Sequence, residues 1–161
     1  MKVLIIYDSV YGNTLRVAEM YQMEFQNRDI DAELVHAERL EWDRYRDVSL
    51  VIFGSPTRGF RAMPTIIRSI RTGAKAMKDY RVAIFDTRIE TRDIQSKVLR
   101  KLMGAFGYGT DHIGKVLKKH GFTPVVTPKG YAVMSAEGPL KPEVAYEVQM
   151  DVKALTEHLK V

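Results

Sequence analysis

The stretch KVLIIYDSVYGNT, residues 2–14, joins an apolar run to a polar loop and then to a helical pattern. A short, continuous apolar run bounded by turn residues predicts a strand buried on both faces of a parallel sheet. From Asn13 onward the apolar residues recur at helical spacing, so the loop connects a strand to a helix. Two interpretations of the loop remain open. Asn13 or Thr14 simply caps the helix, or the helix N-terminus and its hydroxyl neighbours hold an anion.

Four more segments have the composition of strands. The runs at residues 49–54 and 81–86 are continuous and apolar, as expected for central strands. Residues 31–37 alternate between polar and apolar side chains and suit an edge position. A fifth strand is expected in two pieces, residues 122–128 and 130–134.

Helical patterns separate these strands, at residues 13–28, 63–77, 93–106, 110–121 and 142–160. For the fourth of them, Thr110 or Asp111 is the expected N-cap and Gly121 the expected stop. Strands that alternate with helices predict an α/β protein whose parallel sheet lies between two helical layers. We therefore expect a single domain over residues 1–161, a three-layer sandwich with five parallel strands in the order 2-1-3-4-5.

In such sheets ligands bind outside the carboxyl ends of the strands, where the strand order reverses. This rule selects the loops that follow the first, third and fourth strands, at residues 8–14, 54–64 and 86–93. The first loop combines hydroxyls, an amide and a glycine without a lysine, which suits a phosphomonoester better than a triphosphate. The motifs GxxxxGK[ST] and GxGxxG are both absent, which counts against nucleotide hydrolysis and dinucleotide binding.

The composition of the chain excludes further classes of function. The 25 Lys and Arg outnumber the 20 Asp and Glu, for a net charge of +5, but no nucleic-acid-binding motif accompanies them. There is no cysteine, which excludes disulfides and thiolate catalysis. The four histidines are scattered, and no catalytic constellation of side chains is evident, so any chemistry belongs to a cofactor. The apolar run at the N-terminus is too short to span a membrane and lacks a cleavage site, so we expect a cytoplasmic protein that binds neither membrane nor nucleic acid.

Several motifs together resemble the flavodoxin family. The sequence S-x-Y-G-N-T at residues 9–14 closely resembles the flavodoxin phosphate-binding loop, and Tyr11 is similar to the residue found in the related quinone-reductase branch. That branch also resembles this chain in the segment GSPTR, residues 54–58. The segments FDTR at residues 85–88 and AEGPL at residues 136–140 look like those of small stand-alone flavodoxin-domain proteins.

This resemblance implies that the cofactor is FMN. The implied phosphate-binding residues are Ser9, Tyr11, Gly12, Asn13 and Thr14. Those implied to line the isoalloxazine ring are Pro56, Thr57, Arg58, Gly59 and Phe60 on one side and Asp86, Thr87 and Arg88 on the other. No catalytic side chain and no metal ligand is implied.

The resemblance implies an FMN-binding redox protein that acts in electron transfer with a redox partner protein. Two alternatives remain open: an FMN-dependent NAD(P)H oxidoreductase of the quinone-reductase type, and a cofactor-free interaction module. A phosphorylation-driven receiver domain is disfavoured because Gly54, not an aspartate, ends the third strand.

Two further expectations concern the loops. Arg58, Arg61, Arg88 and Arg92 make the candidate loops basic, which should make a bound flavin easier to reduce than in acidic flavodoxins. One positive charge ~7 Å away at an effective dielectric constant of ~20 contributes roughly 2.4 kcal/mol before solvent screening. The extra amphipathic helix at residues 93–107 predicts a lid, a contact in a homo-oligomer, or one more layer on the sheet, with Gly107–Gly109 as a hinge.

Overall fold

A computed structural model describes residues 1–160. Its sheet has five parallel strands in the order β2-β1-β3-β4-β5, which confirms the predicted fold class and strand order. The strands are β1 Lys2–Tyr7, β2 Asp31–His36, β3 Leu50–Pro56, β4 Arg81–Arg88 and β5 Lys129–Ala132. The alternating segment is β2, and it lies at an edge as expected.

Residues 1–160 form five α-helices. They are α1 Asn13–Gln26, α2 Pro64–Gly73, α3 Lys97–Phe106, α4 Gly109–Lys119 and α5 Val144–Leu159. Short 3₁₀ helices occur at Ala37–Arg39, Trp42–Arg44 and Thr91–Asp93. Helices α1 and α5 pack on one face, whereas α2 and α4 pack on the other.

The apolar side chains of β1 contribute alternately to two hydrophobic cores, one on each face of the sheet. Val3 and Ile5 belong to the core under α1 and α5, whereas Leu4 and Ile6 belong to the core under α2 and α4. All four side chains are fully buried. Because successive side chains of a strand point to opposite faces, a central strand of a three-layer sandwich must be apolar at every position.

Some boundaries differ from those predicted from the sequence. Strands β3 and β4 each extend two residues further, because Ser55 pairs with Asp86 and Pro56 with Thr87 in the parallel ladder. In the fifth strand only Lys129–Ala132 forms regular structure, and residues 122–128 contribute a single bridge from Pro124 to Val82. Prolines lack the N–H that a continuing ladder would need.

The predicted N-cap of α4 is wrong. The cap is Tyr108, and the Asp111 carboxylate accepts its backbone N–H at 2.7 Å. The Thr110 hydroxyl instead accepts a hydrogen bond from Arg88. Gly121 does end the helix, with φ +85° and with the next residue, Phe122, donating to the carbonyl of Leu117.

Helix α3 does not form a further layer on the sheet. Among its apolar residues only Met103 is buried, whereas Val98, Leu99 and Phe106 are 69%, 47% and 61% exposed. The Ser96 hydroxyl caps the helix by accepting the N–H of Leu99 at 3.3 Å. The role of α3 as a lid or as a contact between subunits stays a prediction.

A carboxylate is buried in the core under α5. Asp151 is 4% exposed, and its Oδ2 accepts hydrogen bonds from the hydroxyls of Tyr21 and Tyr131. Its Oδ1 has no partner among the residues that the structure describes. Burial raises the pKa of Asp151, and the two tyrosine hydroxyls oppose that effect. Leaving half of a buried carboxylate without a hydrogen bond is costly, so the charged form is disfavoured.

We therefore expect Asp151→Asn to change the pH dependence of stability. The raised pKa means that the favourable contribution of the protonated carboxyl is complete below about pH 4 and is lost as pH rises through the folded-state value. The free energy of unfolding of the variant should rise relative to wild type as the pH increases from about 4 towards neutral. Urea denaturation across this range tests this, with Glu157→Gln on the exposed side of α5 as control. If the free energies of unfolding of wild type and Asp151→Asn differ by the same amount at every pH, the prediction is contradicted.

Candidate cofactor-binding site

A cavity of about 260 Å³ lies at the carboxyl ends of β1, β3 and β4, between the three loops that the sequence selects. It is lined by Ser9, Val10, Tyr11, Asn13, Thr14, Pro56, Thr57, Arg58, Gly59, Thr87, Arg88, Ile89, Val133 and Ala136. Ten of the thirteen residues proposed from the sequence thus meet around one space. That they bind FMN stays a prediction.

Three of the proposed residues do not line this cavity. Gly12 is the N-cap of α1, Phe60 lies in a neighbouring cavity, and Asp86 is fully buried beneath the loops. Sequence reasoning missed four lining residues, among them Val133 and Ala136. Both lie in the segment that follows β5, so the rule that sites form at the carboxyl ends of strands could have found them.

The N-terminus of α1 has no side-chain cap. Gly12 has φ +91°, a left-handed conformation that favours glycine, and no acidic residue lies in the first turn. The Ser9 hydroxyl accepts the N–H of Gly12 at 3.1 Å, which leaves its own proton free to be donated. The helix therefore offers unpaired N–H groups and a positive dipole end.

Asn13 and Thr14 do not act as caps, so the first interpretation of this loop is wrong. The side-chain amide of Asn13 donates to the carbonyl of Glu137 at 3.1 Å and ties the loop to the segment after β5. The hydroxyl of Thr14 lies 2.8 Å from that of Thr87, and both side chains are buried. These two contacts join the loop after β1 to the segments that end β4 and β5.

Asp8 positions the loop from below. It is 6% exposed, and its carboxylate accepts the N–H of Ser9 at 2.7 Å and the hydroxyl of Thr65 at 2.5 Å. Nε2 of His36 lies 3.3 Å from the same carboxylate. Because Nδ1 of His36 accepts the N–H of Glu38, Nε2 carries the hydrogen. Asp8 thus holds three donors and fixes the first residue of the loop.

Asp86 and Arg88 form an ion pair at the cavity, in which the carboxylate is fully buried and the arginine side chain is 18% exposed. Nε and one terminal nitrogen of Arg88 donate to the two carboxylate oxygens at 2.6 and 2.7 Å. The same carboxylate accepts the N–H of Thr110 at 2.9 Å, at the start of α4. The guanidinium lies 3.7 Å from the centre of the Tyr108 ring. A Cβ at Gly130 would overlap the guanidinium, so a larger residue there would displace Arg88 from this position.

This pairing reduces the positive charge that the sequence suggested for the site. Asp86 neutralises Arg88, and Glu90 lies 2.5 Å from Arg92. Arg58 is exposed and lies 5.7 Å from the centre of the Tyr11 ring. Of the four arginines expected to make a bound flavin easier to reduce, Arg58 and Arg61 are therefore the two to which the expectation still applies.

Within residues 1–160, no group of His, Cys, Asp and Glu side chains could hold a metal ion. Over the same residues, none of the helices combines the length and the apolar character needed to cross a bilayer.

Comparison with known proteins gave matches of structure only. Neither protein-family models nor curated protein sequences match this chain. Some of the solved structures that match are about as long as this chain. One is a flavodoxin from the domain Archaea, with a TM-score of 0.70, 14% identity and 100% of both chains covered. Flavodoxin 1 from Bacillus cereus matches with a TM-score of 0.69 and 16% identity over 98% of this chain and 99% of that one.

A larger protein also contains this fold. Rubredoxin oxygen:oxidoreductase from Desulfovibrio gigas matches with a TM-score of 0.74 and 18% identity. The alignment covers 99% of this chain but 36% of that enzyme, so the chain spans about a third of its length. At these identities the similarity is one of fold. This chain has the flavodoxin-like fold.

Proposed function

We propose that this protein binds FMN and acts as an electron-transfer protein for a redox partner protein. The observation that supports this best is the uncapped N-terminus of α1, which opens beside a cavity enclosed by the loops after β1, β3 and β4. Unpaired N–H groups and the helix dipole suit a phosphate. The resemblance of residues 9–14 to the flavodoxin phosphate loop supports FMN as the molecule that carries it.

The chain would supply binding and orientation, and the flavin would supply the redox chemistry when bound. Ser9, with its free hydroxyl proton, and the N–H groups of the first turn of α1 would hold the phosphate. Pro56–Gly59 on one side and Thr87–Ile89 on the other would hold the ring system.

The ionisable groups around the cavity favour electron transfer over side-chain catalysis. The residues that line it include two arginines and one tyrosine, but no His, Lys, Asp or Glu. One of the arginines, Arg88, is already paired. Because general acid–base catalysis needs a group that exchanges protons near neutral pH, this lining favours a cofactor that carries electrons without help from the protein.

The alternative, an FMN-dependent NAD(P)H oxidoreductase, is favoured by one observation. A second cavity, lined in part by Phe60 and His112, meets the first at Gly59. A small-molecule reaction partner could bind there. A cytoplasmic location fits either function, because the chain has no cysteine.

The test is a titration of the apoprotein with FMN and with riboflavin, followed by flavin fluorescence. We expect FMN to bind at least about 100-fold more tightly, because a phosphate bound by several charge-assisted hydrogen bonds contributes about 3 kcal/mol. Equal affinities would show that the first loop holds no phosphate. Failure to bind either flavin would favour the cofactor-free interaction module.

A further inference from the structure

A second cavity of about 320 Å³ lies on the outer side of the loop after β3. Its lining residues are Gly59, Phe60, Arg61, Phe106, His112 and Lys115. They come from this loop, from the end of α3 and from α4. Gly59 lines both cavities, so molecules bound in the two would be close neighbours.

One wall of the second cavity is aromatic. The ring centres of Phe60 and Phe106 are 5.7 Å apart, and the ring planes are inclined by 39°. Phe106 is 61% exposed, which is unusual for a side chain of its size. Phe60 has φ +65°, a conformation that costs a bulky residue free energy and that concentrates at functional sites. The chain thus holds the Phe60 ring in the wall of the cavity at a cost in backbone strain.

The other side chains that line the cavity are those of the basic residues Arg61, His112 and Lys115. Arg61 and Lys115 are exposed, and no acidic residue lines the cavity. Nδ1 of His112 accepts the N–H of Ala62 at 3.2 Å, so the hydrogen of the neutral ring is on Nε2. Burial lowers the pKa of His112, and Arg61, Arg71 and Lys115 lower it further. These three cations create a positive potential that a bound anion would neutralise.

We infer that this cavity is a second binding site, and that its ligand is a planar aromatic anion. The rings of the ligand would lie against Phe60 and Phe106, and its anionic group would lie near Arg61, Lys115 and Nε2–H of His112. The volume is at the lower end of ligand pockets, which range from about 300 to 1,000 Å³, and it suits one or two fused rings but not a whole dinucleotide.

This inference rests on the proposed binding of FMN in one respect, and it favours the alternative function, the oxidoreductase. If FMN occupies the first cavity, the aromatic anion would be its small-molecule reaction partner, since the two sites meet at Gly59. Binding of the anion itself requires only residues outside the phosphate loop. It can therefore be measured on protein free of flavin.

The experiment compares naphthalene-2-sulfonate with the neutral naphthalene-2-sulfonamide by isothermal titration calorimetry, on protein with and without FMN. We expect the sulfonate to bind about 10-fold more tightly than the sulfonamide, in the presence and in the absence of FMN. Phe106→Ala should weaken both probes by about 5-fold, because the ring is exposed and its loss costs contact area and not folding. Arg61→Gln should weaken the sulfonate by about 5-fold and the sulfonamide little. Lys118→Gln, which removes the same charge from an exposed position of α4 outside this cavity, is the matched control.

Equal binding of the two probes, no binding of either at millimolar concentration, or equal effects of Arg61→Gln and Lys118→Gln would overturn the inference. If FMN abolishes binding of the sulfonate, the inference is also overturned, because the probe would then occupy the first cavity. If FMN does not bind but the sulfonate binds as expected, the second site stands and the proposed electron-transfer function fails.

Discussion

Asp86→Asn should destabilise the protein by about 3 kcal/mol, because it leaves the largely buried guanidinium of Arg88 without its counter-charge. Asp86 is fully buried, and the side chain of Arg88 is 18% exposed. The carboxylate also accepts the N–H of Thr110 at the start of α4. In a domain of this size, such a loss corresponds to a fall in melting temperature of about 10 °C. Thermal and urea denaturation at neutral pH measure it.

Glu90→Gln is the matched control, because it breaks an arginine–carboxylate pair whose side chains are 69% and 33% exposed. We expect it to cost less than about 1 kcal/mol. Combining Asp86→Asn with Arg88→Met should recover part of the lost stability, since removing both charges leaves no buried charge unpaired. Equal losses for Asp86→Asn and Glu90→Gln would show that the buried pair does not support the fold.

Ser9→Asp should abolish most of the affinity for FMN and spare that for riboflavin. The new carboxylate would lie where the Ser9 hydroxyl now accepts the N–H of Gly12, beside the uncapped end of α1. A negative charge about 4 Å from a phosphate costs about 4 kcal/mol at an effective dielectric constant of 20, and less after solvent screening. We therefore expect FMN to bind about 100-fold more weakly and riboflavin to change by less than about 3-fold.

Ser9→Asn keeps the size of the aspartate without its charge and is the matched control for this variant. Loss of folding would not explain the expected result, because a carboxylate near a helix N-terminus is stabilising by about 0.5 kcal/mol. If Ser9→Asp and Ser9→Asn bind FMN with equal affinity, or if Ser9→Asp weakens riboflavin binding as much as FMN binding, no phosphate lies at the N-terminus of α1.

The sequence predicted the fold and most of the lining of the cavity because both depend on local patterns. Continuous apolar runs such as Val3–Ile6 identify strands buried on both faces, and the loops at their carboxyl ends follow from topology. The N-cap of α1 was harder to predict, because Asn and Thr are residue types that favour N-cap positions and Asn13 and Thr14 stand at the start of the helix. Their actual partners, Glu137 and Thr87, are distant in sequence and become neighbours only in the folded chain.

The charges of the site were predicted less well for the same reason. Arg88 and Arg92 look free in the sequence, but each is paired with the carboxylate two residues before it. Arg92 lies in the 3₁₀ helix Thr91–Asp93, to which the rule for extended segments does not apply. Arg88 lies in β4, where residues i and i+2 are on the same side, so its pairing with Asp86 could have been expected from a strand that reaches Arg88. The second cavity could not, because Phe60, Phe106 and His112 come from three elements whose packing no local pattern reports.

The shortness of β5 bears on how copies of this chain behave towards one another. It lies at the edge of the sheet with four residues in the ladder, and Pro124 and Pro128 precede it. An edge of this kind offers few free N–H and C=O groups as a template for another chain. Intermolecular strand addition, which leads to amyloid-like aggregation, is thereby disfavoured at this end of the sheet.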